Sequence, residues 1–389
     1  MIDWLAKNGV ECTVITTYPY YPYWRVQNPY RKNRFWFKIE NQKFDSGGSI
    51  KVIRCPIYVP KKPSGIKRII LDFSFLFTSA FPLMYLLFKK RKTLVMAVAP
   101  SFLIGMPAVA YKFFKRSKFV YHIQDMQIEA ARELGMLKSK FLINTLFRIE
   151  NFIFKKADAV SSISDGMIAK LKLKSKRDIY FFPNWADIKT FYPVLNKTEI
   201  KRDFGFKNND RIILYSGSIG QKQGLEAILL AADNLRNDLY SKFIICGSGP
   251  YKSALEKMAE EMALTNVFFF PLQPLEKFNA FLNLADVHLI IQKADAGDLM
   301  MPSKLTSILA VGGMAIITAN ENSGLHTLVR NHGVGVVVPA ENQDALNRAI
   351  EKVLNEPVGN SLIRDKARMY AEQFLDRNEI MNRFRRDFL

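Results

Sequence analysis

The sequence predicts an α/β protein made of two Rossmann-like, doubly wound domains in tandem, facing a cleft. Three observations carry this. Apolar runs of four to six residues alternate with helical periods along the chain, the pattern of parallel strands covered on both faces. Several of these runs end in glycine-bearing loops that open a helix. The 389 residues suffice for two hydrophobic cores. The expected division is 1–190, 191–365, and a last helix over 366–389 that packs back toward the N-terminal domain.

The first half opens on "IDWLAKNG", a short amphipathic helix stopped by Gly9. Strands follow at 10–16, 50–59, 93–100, 118–125 and 159–164, with helices to about 114, over 139–156 and over 165–174, and "DIYFFPNWAD" (178–187) closes the half. Between the first two strands, "YPYYPYWRVQNPYRKNRFWFK" (18–38) has aromatics without a period and reads as a surface loop. "RIILDFSFLFTSAFPLMYLLFKKRK" (68–92) is apolar from Ile69 to Phe88 and ends in four basic residues. It is long enough to cross a bilayer. Asp72 lies inside it, and Pro82 is expected to break a helix interior. A buried helix, a helix lying in the membrane interface and a true span all remain open.

The second half is more regular. Strands are expected at 211–216, 242–246, 267–270, 286–291, 314–318 and 335–338, with a helix after each.

Charge is distributed unevenly. Residues 1–190 hold 33 Lys and Arg against 13 Asp and Glu, whereas the remainder holds 23 of each, so the first half carries the whole excess of +20. Such a field points to a polyanionic partner. The chain has no C2H2 spacing, RNP-type strand or recognition helix, so no nucleic acid is expected. An anionic membrane surface fits better. The three cysteines have neither metal-site nor disulfide spacing and suit a reducing compartment. No essential metal and no cofactor is expected.

Four loops bear chemistry. "YSGSIGQKQGLE" (215–226) follows the first strand of the second half. Gly217, Gly220 and Gly224 allow close backbone approach. The helix N-terminus favours an anion, and Lys222 adds a full charge. A diphosphate fits, as does an ordinary glycine-rich turn. "CGSGP" (246–250) places Gly247 and Gly249 at the end of the next strand. "QKADAGDLMMPSKLTSILA" (292–310) brings Asp295 and Asp298, suited to sugar hydroxyls, and Ser303 and Lys304, suited to phosphate. Helix capping is the alternative for Asp298 and Ser303. In the first half, "YHIQD" (121–125) ends a strand with His122, Gln124 and Asp125. His122 either meets a substrate and moves a proton or is a satisfied core histidine.

These stretches, with "RCPIYVPKKPSGIKR" and "FFPNWAD", together resemble a GT-B glycosyltransferase of family 4, of the kind serving colanic-acid, capsule and O-antigen assembly. The resemblance runs in order through nearly the whole chain. It implies a retaining transfer from a nucleotide sugar, UDP- or GDP-linked, to an acceptor that is often a lipid-linked saccharide. The enzyme would sit at the cytoplasmic face of the inner membrane, peripheral or monotopic. Carried over residue by residue, donor-phosphate contacts fall on Gly220 and Lys222. Base-side contacts fall on Gly247, Gly249 and Leu272, further phosphate or sugar contacts on Ser303 and Lys304, and the crevice histidine on His122. Catalysis would rest on His122 and Lys222, and the acceptor side on Gln124 and Asp125. The sequence departs from the family at Ser218, where an arginine is common, and at Ser307, where a ribose-binding glutamate is common. It also begins on a helix that in the family follows a first strand, which implies a first sheet short of its central strand. A GT-B-shaped sugar-nucleotide epimerase and a non-catalytic homologue in an assembly complex are the alternatives.

Overall fold

The chain divides into two units, Met1–Phe182 with Met381–Leu389, and Pro183–Ile380. The structure is a computed structural model that describes residues 1–21, 23–61, 65–133, 139–175, 177–294, 302–321 and 323–389.

The first unit runs α1 (Ile2–Lys7), β1 (Glu11–Thr17), β2 (Lys38–Lys43), β3 (Ser49–Cys55), α2 (Gly65–Leu87), β4 (Leu94–Ala99), α3 (Gly105–Lys115), β5 (Lys118–Ile123), α4 (Gln127–Glu133), α5 (Lys140–Lys156), β6 (Ala159–Ser162), α6 (Asp165–Ser175) and β7 (Ile179–Phe181). The sequence reading expects these strands in a sheet short of its central member. Among the described residues they form two, in the orders β1-β3-β2 and β4-β5-β6-β7. The second sheet is parallel throughout. In the first, β1 runs parallel to β3 whereas β2 runs antiparallel to it. The sequence reading missed β2 because its side chains, "KIENQK", leave most of the strand exposed. The aromatic loop before it is largely on the surface, but Tyr18 is fully buried and its hydroxyl donates to the Trp36 carbonyl at 2.7 Å.

Helix α2 continues through Pro82, contrary to expectation. Pro82 cannot donate to the carbonyl one turn back, but it sits on the buried side of the helix. The helix is fastened to the segment after β3: Thr78 Oγ1 donates to the Pro56 carbonyl (2.9 Å) and the Tyr58 amide donates to Ser74 Oγ (3.0 Å). Asp72 faces inward, where it accepts a hydrogen bond from Gln127 Nε2 at 3.0 Å. On another face of the unit, Lys174 of α6 is paired with both Glu129 of α4 and Glu150 of α5, and both carboxylates are buried.

The second unit contains α7 (Thr198–Asp203), β8 (Arg211–Ser216), α8 (Glu226–Asn234), β9 (Ser241–Cys246), α9 (Lys252–Glu261), β10 (Val267–Phe270), α10 (Leu275–Leu284), β11 (Val287–Ile290), α11 (Lys304–Ala310), β12 (Ala315–Thr318), α12 (Gly324–His332), β13 (Val336–Val338), α13 (Gln343–Asn355) and α14 (Pro357–Phe374). The sheet order is β10-β9-β8-β11-β12-β13, parallel throughout. Strand order therefore reverses between β8 and β11, where such sheets bind ligands beyond the strands' carboxyl ends. The continuous apolar runs follow from burial on both faces. Ile213 and Tyr215 of β8 join one core with Phe243, Ile245 and Leu289. Ile212 and Leu214 join another with Ile244, Phe281 and Leu282.

The single tail helix expected over 366–389 is two: α14 ends at Phe374 and α15 spans Arg377–Phe388. The break is held by hydrogen bonds. The Ala186 amide donates to the Leu375 carbonyl (2.9 Å), and Asp376 Oδ1 accepts from the Asn378 amide (2.5 Å). Past this break the last nine residues belong to the first unit, where Phe384 stacks at 4.8 Å on Phe182 and Phe388 meets Tyr180 at 4.9 Å.

Candidate functional site

The loops after β8 and β9 are locked together at the switch point. The Gly217 amide donates to the Cys246 carbonyl (2.9 Å), the Ile219 amide to the Ser248 carbonyl (2.9 Å) and the Tyr251 amide to the Ile219 carbonyl (3.3 Å). Only glycine fits this approach. A Cβ at Gly247 would lie 1.9 Å from the Gly217 oxygen, and one at Gly249 would lie 1.9 Å from the Ile219 oxygen.

Beside these loops is a recess of about 410 Å³, walled by Ser216, Gly217, Cys246, Leu272, Gln273, Phe278, Ser303, Lys304 and Ser307 among others. Four sequence-predicted donor residues thus come together: Gly217, Leu272, Ser303 and Lys304. Lys304 is its electrostatic centre. Its Nζ lies 3.7 Å from the centroid of the Tyr215 ring and would be 2.9 Å from a Cβ at Gly217. Burial pushes its amine down to about 7, with no acidic group offsetting the effect. Among the described residues the wall contains no carboxylate. Tyr215 is fixed in turn, its hydroxyl donating to the Ser218 carbonyl at 2.7 Å. The arrangement is a desolvated cation, held by an aromatic face and glycine backbone, at the mouth of a parallel sheet.

The other predicted residues are placed differently. Gly220 precedes the turn Gln221–Gln223 in extended backbone. The side chain of Lys222 in that turn lies outside the described residues, as do Asp295 and Asp298. Gly247 and Gly249 shape the first loop from behind. Ser303 stands at the head of α11 without a side-chain capping bond, so the capping alternative does not apply to it. Ser307 Oγ donates to the Lys304 carbonyl (3.1 Å) within α11.

For His122 the geometry is that of the core-histidine alternative. It lies one residue inside the end of β5, in register with Ser161 of β6, and is 2% exposed. Nδ1 meets Ser161 Oγ at 2.9 Å and Nε2 meets Gln124 Nε2 at 3.2 Å, with Phe182 edge-on at 5.3 Å. Burial lowers its pKa to about 4, so the ring is neutral at pH 7. Gln124 and Asp125 follow it, partly buried, at the carboxyl end of β5.

Sequence reasoning missed Tyr215 and a smaller recess of about 140 Å³ on the far side of the first loop, lined by Gln223, Gly224, Lys293, Thr318, Glu341 and Gln343. The signal for Tyr215 was present: a polar-tipped aromatic one residue before the end of an apolar strand, beside a glycine loop.

Residues 196–374 match the family described as glycosyl transferases group 1. Across the full chain and 94% of its own length, a protein of Escherichia coli K12 named as a putative colanic acid biosynthesis glycosyl transferase, WcaI, is 38% identical. Among solved structures, sucrose-phosphate synthase from Thermosynechococcus elongatus superposes with a TM-score of 0.71 at 16% identity, over 97% of this chain and 98% of that one. Anabaena HepE in complex with UDP-glucose gives 0.68 at 12% identity, over 97% and 98%. Fold and sequence together define a GT-B glycosyltransferase. The chain belongs to the glycosyl transferases of group 1.

Proposed function

We propose that this glycosyltransferase takes its sugar from a nucleoside-diphosphate donor, UDP- or GDP-linked, and passes it with retention of anomeric configuration to a lipid-linked saccharide. The setting is cell-surface polysaccharide assembly at the cytoplasmic face of a membrane, in line with the colanic acid role in the E. coli relative's name. One observation carries the donor side: Lys304, seated over Tyr215 and against Gly217 in an acid-free wall. A buried cation without a counter-ion is costly, and a diphosphate supplies that counter-ion.

In the reaction, the bond between the anomeric carbon and the donor phosphate oxygen breaks. The acceptor hydroxyl oxygen bonds to the same face of the sugar, and its proton passes to the departing phosphate oxygen. Lys304 stabilises the charge growing on the diphosphate, the kind of preorganised electrostatics that dominates such catalysis. Lys222, on the same loop system, is assigned a second phosphate contact, and Asp295 and Asp298 contacts to sugar hydroxyls. His122 is assigned a supporting role, holding Gln124 on the acceptor side beside Asp125. The charge on the lysines makes a metal dispensable.

The test is a calorimetric titration of the protein with UDP-, GDP- and dTDP-sugars, followed by NMR of the product's anomeric proton. One donor should bind, and Lys304→Met should abolish that binding without unfolding the protein. Equal binding by Lys304→Met, or an inverted product, would overturn the proposal.

A further inference from the structure

The two units differ sharply in surface chemistry. Among the described residues, 15 exposed aromatic side chains lie in the first unit and three in the second. The first unit also holds 35 Lys and Arg against 13 Asp and Glu. Exposed rings and excess positive charge therefore share one body.

The rings are ordered along α2. At about 100° per residue, Phe73, Phe77, Phe81 and Met84 fall on one face, and each is exposed, Phe77 at 69%; Phe88, just past the end of the helix, is 90% exposed. The opposite face carries Leu71, Ser79 and Pro82, all buried. Asp72, the only acid in the helix, lies on that side too, held by Gln127. The stripe widens sideways through Phe37, whose ring meets Phe81 at 6.0 Å, and its exposed neighbour Trp36.

Basic groups frame the stripe at its end. Tyr85 lies between Lys51 and Lys89, whose ammonium groups are 4.9 and 5.0 Å from its ring centroid. Phe88-Lys89-Lys90-Arg91 and Phe113-Phe114-Lys115-Arg116 are tied together by Lys115 Nζ donating to the Lys89 carbonyl at 2.7 Å. Apolar rings beside long basic side chains are the composition of a surface that enters the acyl boundary while its charges meet headgroups.

We infer that the aromatic face of α2, with Trp36, Phe113 and Phe114, lies flat in the interface of an anionic lipid bilayer, the helix axis parallel to the membrane plane. The inward face of α2 packs on β1, β3 and α3, so crossing the bilayer would mean stripping that face and bringing Asp72 into hydrocarbon. This deepens the proposed transfer to a lipid-linked acceptor and rests on it for its purpose. It names the membrane partner and the residues that touch it.

The test is flotation of the full chain with vesicles of phosphatidylcholine mixed with phosphatidylglycerol, and with vesicles of phosphatidylcholine alone. The protein should bind the anionic vesicles at least about tenfold more tightly, and high salt should weaken the binding. Phe77→Ser with Phe88→Ser, and separately Lys90→Glu with Arg91→Glu, should each cost about tenfold or more. Both variants should keep their thermal unfolding and their titration with the sugar nucleotide, which shows that they are folded. Equal binding to both vesicles, no loss in either variant, retention after carbonate extraction, or a dimer that the phenylalanine variant dissolves would each overturn the inference. If vesicle binding fails while donor binding stands, only this inference falls. If no sugar nucleotide binds, the proposed donor reaction falls whatever the vesicles show.

Discussion

The ammonium of Lys304 rests 3.7 Å above the ring of Tyr215. That ring is pinned by its own hydroxyl to the Ser218 carbonyl, so the cation sits on a fixed platform rather than on a flexible stem. Removing the charge should be felt in donor binding and in turnover alike. Lys304→Met is expected to lower kcat/KM by about 100-fold or more. Tyr215→Leu, which keeps the charge but loses the platform, should cost less. Steady-state kinetics with the identified donor decides the order.

The same lysine should couple donor binding to protons. Its amine is held at about 7 in the free protein, and a bound diphosphate favours the charged form. As pH rises above 7, the free protein loses the proton that the complex needs, so affinity should fall by up to about tenfold per pH unit. Sugar nucleotides have no phosphate group titrating in this range, so the effect reports on the protein. Calorimetry at pH 8 in buffers of different ionisation enthalpy should show uptake approaching one proton, and Lys304→Met should abolish it.

His122 should shape stability rather than rate. Its folded pKa of about 4 lies below its ordinary 6.5. Above pH 6.5 both states are neutral and the native state bears no penalty. As pH falls from 6.5 toward 4, the unfolded chain takes up a proton that the native chain refuses, and stability drops by about 3 kcal/mol. Urea midpoints at pH 7 and pH 5 should show a smaller loss in His122→Asn than in the wild type.

Two glycine changes should move in opposite directions. Gly247→Ala would set a methyl 1.9 Å from the Gly217 oxygen. It should destabilise by about 1–3 kcal/mol through displacement of the first loop and weaken donor binding. Gly359→Ala, in α14 with nothing within 4 Å, should stabilise by about 0.5–1 kcal/mol and leave binding untouched. Thermal melts with and without donor separate the two.

Activity should survive chelation. With Lys304 meeting the diphosphate's charge, dialysis against EDTA is expected to leave kcat unchanged. Recovery only on adding a divalent cation would sink that expectation.

The second unit was almost fully legible in the sequence, because strands buried on both faces are largely continuous apolar runs, as Ile212–Leu214 of β8 and Leu289–Ile290 of β11 are. The first unit was less so. Strand β2 carries Lys, Glu, Asn and Gln, and only its pairing with β3 makes it a strand. The division into two sheets fits the expectation of a first sheet short of its central strand, whereas the antiparallel pairing of β2 on β3 had no signal in the sequence. Lys304 was identifiable by residue type and loop position, but its seat on Tyr215 depends on a contact between residues 89 positions apart. His122 stayed open between two readings because a strand's end and its last buried residue look alike in sequence. The apolar run marked a long helix but neither its passage through Pro82 nor its facing, which the inward hydrogen bond of Asp72 settles.

The route of the chain's last nine residues has a practical corollary. Phe384, 1% exposed, is packed against Phe182, and Tyr180 donates a 2.9 Å hydrogen bond to Asp387. Trimming the carboxyl terminus, or fusing a bulky tag there, would therefore wound the body that the amino terminus starts. Deletion mapping that equates position along the gene with position in space would assign the damage to the wrong half of the enzyme.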